Sequence, residues 1–508
     1  MPLPSWSQVT APVRHIRTAT FLILTWIITS VLAQEEDYQS PCLSDRFKDP
    51  TIQHPGGLFS SNVWLRRGQC IRDVNSYAQC RSNLIAVLDD LSALQSTEYG
   101  AGAGVLTLLP TAGALFGSPT AELWALLKMS PIAGFLAQSL TFGATMVPSE
   151  TEDYLKVSKS QGCTAMRVPP VKKVEEDPSE VTYARVSDEA QQRIRHALKR
   201  DRKMPRAYAG LTPKQFFLLG CAVLTVFIAG SQVALAVIEQ GAVYSTWCTA
   251  IWWAHIWYLV VSVVAIVDGY INLPFDETWK VYISRQNATL IGNESGVFEG
   301  SSWELDGVDE MVIEGAMRGA APKKNAVYAQ TGDESQTGRQ MLVVISISQE
   351  DKRPPIWLSG LRLFFRAGGL TCFVFATSVF AAVTLLALPM SQMVLMVIVG
   401  SGFFSRAIVQ KMVKTMYHER PVMHLIAEDK QTADRMLTDI MQMKMEPEDA
   451  SSSYVFEVNG KLWIRQVCVG LTNRWRRRFF GLLSSLPLVE GSGQETKGSW
   501  EPLRQTDY

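Results

Sequence analysis

The chain has little that would serve as machinery for chemistry. Its 508 residues include six histidines and eight cysteines, and only 19% are charged, below the quarter typical of soluble domains. Lys+Arg and Asp+Glu are equal at 48 each, so no net field draws nucleic acid or an acidic ligand. There is no Gly-Lys-Ser/Thr loop to cradle a phosphate, which excludes an ATP-driven pump with its own nucleotide domain. Gly-x-Ser-x-Gly, His-Glu-x-x-His and Cys-x-x-Cys are also missing, and with them the nucleophile elbow, the zinc-protease helix and the dithiol redox motif. His418 and His424 flank "ERPVM", without thiolates or carboxylates in a frame that suits a metal. The sequence therefore predicts no catalytic residue, no cofactor and no metal ligand.

Long apolar runs are what it does have. Residues 1–33 read as a signal peptide: Arg14, His15 and Arg17 form the basic region, "TATFLILTWIITSVLA" the apolar core, and Val31-Leu32-Ala33 suits cleavage before Gln34. An uncleaved signal anchor is the alternative, and it sends the next segment to the same lumenal side. Four later runs carry almost no charge: Phe216–Ile238, Trp247–Val267, Ala367–Leu388 and Met390–Val409, the last holding only Arg406 near its end. Each is long enough for a hydrocarbon core of roughly 30 Å, and none keeps the polar face of a soluble core helix. Region 101–147 is less regular. Pro110 interrupts it, Gly117-Ser118-Pro119 breaks it, with Ser118 placed as an N-cap, and its second part contains Glu122 and Lys128. It reads as one crossing followed by an interfacial or re-entrant helix, or as a two-crossing hairpin.

Positive charge chooses between these. "RIRHALKRDRKMPRAYAGLTPK" precedes Phe216, Lys352, Arg353, Arg362 and Arg366 precede the third run, and Arg406, Lys411, Lys414 and Arg420 lie at and beyond the end of the fourth. The short connections, "EQGAVYST" and the turn around Pro389, have no basic residue. The basic flanks are therefore cytosolic. A lumenal start then needs an odd number of crossings in 101–147, giving an all-α polytopic membrane protein of about five transmembrane helices. Its N-terminus would be lumenal and its C-terminus cytosolic, in the secretory pathway or plasma membrane. The segments are 1–33 (signal), 34–100 (lumenal), 101–147 (broken), 148–215 (basic linker), 216–267 (hairpin), 268–356 (acidic loop), 357–410 (hairpin) and 411–508 (tail). The sequons at Asn287 and Asn293 fall in the cytosolic loop, so they would be used only if the threading were reversed.

Outside the membrane the mixed segments are small. Cys42, Cys70 and Cys80 face an oxidising compartment, where three thiols allow one disulfide. Cys70–Cys80 is the preferred pair because its loop is short, and a bridge using Cys42 competes with it. The segment is small for a core of its own and reads as a lid packed on the membrane part, with "CRSNLIAVLDDLSALQS" helical. "KVYIS" and "MLVVISIS" are strand-like. In "YVFEVNGKLWIRQV", Asn459-Gly460 between alternating residues predicts a β-hairpin. "NRWRRRFFGLLSSL" reads either as a surface helix on an anionic leaflet or as a charged tail packed against that hairpin.

Within the four clear runs the strongly polar side chains singled out are Gln232 and His255, and Asp, Glu and Lys are absent, with Arg406 near the end of the fourth run the one charged residue. This argues against an ion-coupled transporter, which places ionisable groups in the membrane. In "TWCTAIWWAHIWYLVVSVVAIVDGY", helical spacing puts Cys248, Trp252, His255, Leu259 and Ser262 on one face and Trp253, Trp257, Val260 and Val264 on the other. Trp247 sits where an interfacial anchor belongs. At about 1.5 Å per residue, His255 lies roughly 12 Å and Gln232 roughly 9 Å from the external end. Spans joined by a short turn are neighbours. The pair is expected to form an interhelical hydrogen bond, in preference to His255 serving as a ligand or proton carrier.

The stretch "VLTLLPTAGALFGSPTAELWALLKMSPIAGFLAQSLTFGATMVP" (105–148) resembles a segment of uncharacterised integral membrane proteins of filamentous fungi. In them, too, a Leu-Pro-containing apolar helix precedes a Gly-Ser/Pro break and a second apolar helix. The resemblance implies a fungal polytopic membrane protein and no particular activity. The expected role is structural, sensory or accessory, through protein partners of loop 268–356 and tail 411–508, with the bilayer as the other partner. The alternative is a facilitator or exporter of a small apolar molecule in a fungal metabolite pathway.

Overall fold

Thr212-Pro213-Lys214-Gln215 opens the first long apolar helix, α8 (Pro213–Gly241). The Thr212 hydroxyl accepts from the Gln215 amide, the Gln215 side chain accepts from the Thr212 amide, and Pro213 takes the first turn, where no amide is needed. In the computed structural model, the residues described are 60–74, 76–116, 121–141, 150–160, 164–170, 178–199, 211–286, 288–291, 317, 327–330, 340–349, 355–443, 453–464, 467–472 and 474–484. The expected signal peptide, Cys42, Ser118, Asn287 and Asn293 lie outside them.

Among the described residues seven helices precede α8: α1 (Ser61–Arg72), α2 (Tyr77–Asp89), α3 (Ala93–Phe116), α4 (Ala121–Met129), α5 (Pro131–Ser139), α6 (Thr151–Ser160) and α7 (Pro178–Lys199). Beyond α8 come α9 (Trp253–Ile271), α10 (Ile356–Ala381), α11 (Leu388–Glu419), α12 (Lys430–Met441) and α13 (Arg474–Phe480). Four helices among the described residues are long and apolar enough to cross a membrane: Pro213–Gly241, Trp253–Ile271, Ile356–Ala381 and Leu388–Tyr417. The count is four where the sequence predicted about five, and the difference falls in 101–147. That region divides among α3, α4 and α5, and the last two, at nine residues each, would span only about 14 Å. The long helices are also displaced from the apolar runs. One starts at Trp253 instead of Trp247, and another takes in Arg362 and Arg366.

The expectation of a helical membrane protein is met in outline by the four long apolar helices, but all-α is too narrow, because the polar segments build a seven-stranded sheet. Its strands are β1 (Thr164–Val168), β3 (Phe275–Gln286), β6 (Gln340–Ser348), β8 (Val422–Ala427), β9 (Ser453–Val458), β10 (Lys461–Ile464) and β11 (Val467–Leu471), in the order β1-β8-β6-β3-β9-β10-β11. β8 runs parallel to both β1 and β6, and the remaining pairs are antiparallel. The three polar segments, one before the first long helix, one between the two helical hairpins and one after the last long helix, all contribute strands, so all three meet at one end of the bundle. Two short pairs stand apart: β4 (Ala288–Ile291) with β5 (Val327–Gln330), and β2 (Val243–Tyr244) with β7 (Val383–Thr384). The β2–β7 pair joins the turns of the two helical hairpins at the end of the bundle far from the sheet.

Alternation along the strands builds two layers, as the period of two requires. Met341, Val343, Ile345, Met423 and Leu425 face α7 and α12, where Ile194, Met436, Leu437 and Ile440 complete a core. Leu342, Val344, Val422 and Ile426 face the bundle and pack with α4, α5 and the ends of α8 and α11, including Trp124, Phe217, Met412 and Met416. A bulge between Glu277 and Trp279 in β3 shifts the parity. Phe275 before it and Tyr282 after it therefore both look toward the bundle. At the β9–β10 turn Asn459 and Gly460 have φ of 52° and 80°. This is the two-residue turn whose twist matches its strands, and the predicted hairpin is present.

α3 packs along α10 and α11, with Leu106 and Leu109 buried in the bundle core. α4 lies between the bundle and the sheet. α5 rises from there into the bundle, where the Ser139 carbonyl accepts from the Tyr258 hydroxyl at 2.6 Å. α1 and α2 cover the far end. Gly68 and Gly241 bring α1 against the end of α8 so closely that a Cβ on Gly68 would overlap the carbonyls of Gln240 and Gly241, and one on Gly241 the ring of Trp64.

Candidate functional site

The far end gathers the polar groups of the bundle. Gln232 and Glu239 stand seven residues apart on α8, almost two full turns, so they share a face. His255, in the first turn of α9, points between them. Its Nδ1 is 2.7 Å from Gln232 Oε1, and its Nε2 is 3.4 Å from Glu239 Oε2. The structure thus brings Gln232 and His255 together as the sequence reading pairs them, with one change. His255 is the third residue of its helix and lies near the end of the span.

Glu239 is the residue that sequence reasoning missed, because "EQGAVYST" was assigned to an external connection. It lies in the last turn of α8, 3% exposed, and its Oε1 accepts from the Ala254 amide at 2.6 Å. Trp252, at the N-cap of α9, has no capping bond from its own side chain, so a carboxylate from the preceding helix does that work. A negative group there also suits the positive end of the helix dipole. The heptad spacing from Gln232 was the available signal.

Two proton arrangements satisfy the line Gln232–His255–Glu239. With Nδ1–H donating to the Gln232 oxygen, Nε2 faces the carboxylate, and one proton must sit on one of the two. With the Gln232 amide turned, its nitrogen donates to Nδ1 and Nε2–H donates to Glu239. The turned form also gives a partner to Gln232 Nε2, which is otherwise buried without one. In either form the three side chains tie α8 to α9, and the ring of Trp252 lies 5.6 Å from that of His255. Trp257 packs edge-on to Phe380 of α10, and Trp247 leans on Trp253 and Phe375.

From outside, α1 closes over this cluster. The Arg72 guanidinium donates to the carbonyls of Gln240 and Ala242, which supplies the end of α8 with donors and positive charge. Burial lowers Arg72 to about 10, which leaves it charged at neutral pH. Burial likewise pushes the neighbouring Tyr244 hydroxyl well above its ordinary range. Trp64 Nε1 donates to the carbonyl of Leu385 at 2.7 Å, holding a non-glycine residue whose φ is 57°.

The disulfide differs from the predicted Cys70–Cys80 pair. Cys80 bonds Cys248, with Cα atoms 5.9 Å apart and 168 residues between them in sequence. Cys80 sits in the first turn of α2 on its buried side, and Cys248 lies in the turn before α9 rather than inside a span. Cys70 also takes part in a disulfide, whose other half is outside the described residues.

A second polar cluster lies where the sheet meets the bundle. His424 on β8 is buried, with Nδ1 2.9 Å from the Tyr154 hydroxyl of α6 and Nε2 2.8 Å from the Ser346 hydroxyl of β6. Its ring stacks on Trp124 of α4 at 4.5 Å and meets Phe275 edge-on. Burial lowers this imidazole to about 3, so it is neutral and works as a three-way joint. Beside it, Lys128 of α4 and Lys280 of β3 both pair with Glu277. Despite burial, the two lysines hold that carboxylate below its usual range. The His418 side chain lies outside the described residues, and among those described no group of three or more His, Cys, Asp or Glu is placed to hold a metal ion. Comparison with known proteins finds no matching family, no matching curated protein and no matching solved structure.

Proposed function

We propose that the protein is a non-enzymatic integral membrane protein with a structural, sensory or accessory role, exerted through the sheet. The observation that carries this reading is that one seven-stranded sheet is assembled from all three polar segments that follow α3. Such a sheet joins the ends of both helical hairpins, so a protein bound to it acts on the whole bundle at once. The basic residues at the sheet end support a cytosolic sheet under the positive-inside rule, and on this reading α1, α2 and the Cys80–Cys248 disulfide belong to the oxidising side. α3 is then the odd crossing. Its Gly102 passes Leu386 at the far end, and the helix leads to α4, whose Glu122 meets Gln410 at the sheet end. α5 is a re-entrant helix. The secretory-pathway or plasma-membrane location, and the fungal setting suggested by residues 105–148, belong to this same reading, as does a signal peptide over 1–33.

The facilitator reading keeps one observation in its favour: α5 enters the bundle without crossing it, as helices do around transport sites. Reconstitution into liposomes separates the two. The accessory reading expects small neutral solutes to equilibrate across the liposomes at the protein-free rate, measured by light scattering after an osmotic jump. Saturable, protein-dependent flux would overturn it.

A further inference from the structure

The segment α13 is held by one arginine and turns its other side outward. Arg477 Nε donates to Glu457 Oε2 at 2.7 Å, its guanidinium lies 4.4 Å from the centre of the Tyr282 ring, and it donates to the carbonyls of Gly481 and Ser484. Tyr282 and Glu457 are paired across β3 and β9 on the face of the sheet that looks toward the bundle. The helix therefore lies on the membrane side of the sheet.

Its position along the sheet is equally defined. The bundle ends and α4 cover β8, β6 and the start of β3, whereas α13 covers β3 and β9 farther along, toward the overhanging β10 and β11. It abuts α5 where that helix begins its rise, and Arg420, just past the end of α11, donates to the carbonyl of Leu482. α13 thus fills the wedge between the overhanging strands and the plane of the bilayer. Trp475, on the side away from Arg477, is 61% exposed, Phe480, at the last position of the helix, 50%, and Leu471, at the end of β11, 66%. Arg478 is exposed with them. The local sequence "NRWRRRFF" has four arginines and no acid.

We propose that this surface rests on the bilayer itself, with Trp475, Phe480 and Leu471 at the depth of the headgroups and Arg478 on anionic lipid. The composition fits that one occupant. Tryptophan and phenylalanine with arginine are what interfacial helices present, and the absence of acids matches the negative cytoplasmic leaflet. The proposal rests on the reading of the four long helices as membrane spans. The two alternatives left open by the sequence are thereby joined, since one face of the segment packs on the sheet and the other meets lipid.

The test uses the full chain in nanodiscs of phosphatidylcholine, with and without phosphatidylserine. An environment-sensitive fluorescent amino acid replaces Trp475, and a control probe replaces Lys430 of α12 on the opposite face of the sheet. The expected result is blue-shifted emission at 475, quenched by shallow doxyl lipids, several-fold more in anionic discs, with no response at 430. Arg478→Glu, at an exposed position, should remove the anionic enhancement. A probe at 475 as wet as that at 430 in both lipids, or equal quenching in both, would overturn the proposal. If the four helices were not membrane spans, the chain would fail to enter discs of either composition, which is a separate outcome.

Discussion

Cys80→Ser/Cys248→Ser should release α1 and α2 from the far end while leaving the bundle intact. The size of the effect depends on how much chain the disulfide closes. Taken along the sequence, the 168-residue separation corresponds to about 5 kcal/mol of chain entropy. That overstates it, because α3 and α8 stay packed when α1 and α2 lift off. The free chain then runs only from Cys80 to the docking of Gly102 against Leu386, and from Ala242 to Cys248. A loop of about 30 residues gives about 3.5 kcal/mol, or some two to three orders of magnitude in the opening equilibrium. The other ties of this layer, among them Trp64 to Leu385, Arg72 to Gln240 and Ala242, and the disulfide at Cys70, are left unchanged. Hydrogen exchange in nanodiscs reads the outcome: the amides of Ser61–Asp89 should exchange about 300-fold faster, and those of α8–α11 at their original rate. Unchanged exchange over Ser61–Asp89 would refute the reasoning, since the other ties would then suffice. Uniform acceleration would refute it differently, by making the disulfide a support of the whole fold.

Gln232→Leu and His255→Leu, alone and combined, should show a coupling of about 1 kcal/mol in a double-mutant cycle on stability in detergent; strict additivity would mean that the 2.7 Å contact does not bind the helices together. Because burial lowers His424 to about 3 from an ordinary 6.5, the unfolded chain takes up a proton there that the folded chain does not. Stability therefore falls as pH drops from about 6.5 toward 3, by up to about 1.4 kcal/mol per unit, and is unaffected by this group above that window. Thermal unfolding at pH 7.5 and 5.5 should show the loss in the parent chain and a smaller one in His424→Gln. An equal loss in both would assign the pH dependence elsewhere.

Hydropathy located the membrane part of the fold well, because long apolar runs are a local property. The Asn459-Gly460 hairpin was legible for the same reason: a two-residue turn states its conformation in its own residues. The sheet was not, since its pairing is long-range. β1 is five residues, "TAMRV", whose partner is "VMHLIA", reached only beyond all four long helices. Neither fragment alone says which strand it joins. The site was half legible. Gln232 and His255 stood out as polar residues in apolar runs, but Glu239 was hidden by the assumption that a helix ends where charge begins. The disulfide was misjudged because short loops were preferred, whereas α1 and α2 are separate helices and the buried side of α2 faces the turn holding Cys248.

The parallel pairing of β1 with β8 also imposes an order of events during synthesis. Thr164 pairs with Met423, so β1 leaves the ribosome about 260 residues before its neighbour exists. At roughly 5–20 residues per second this is about 13–50 s. On the proposed threading, the sheet closes only after both hairpins have entered the bilayer in one orientation, because an inverted hairpin would deliver its strands to the wrong side. A completed sheet would then report that both hairpins are correctly inserted. Until then, β1 is an unsatisfied edge of the kind that cellular quality control recognises.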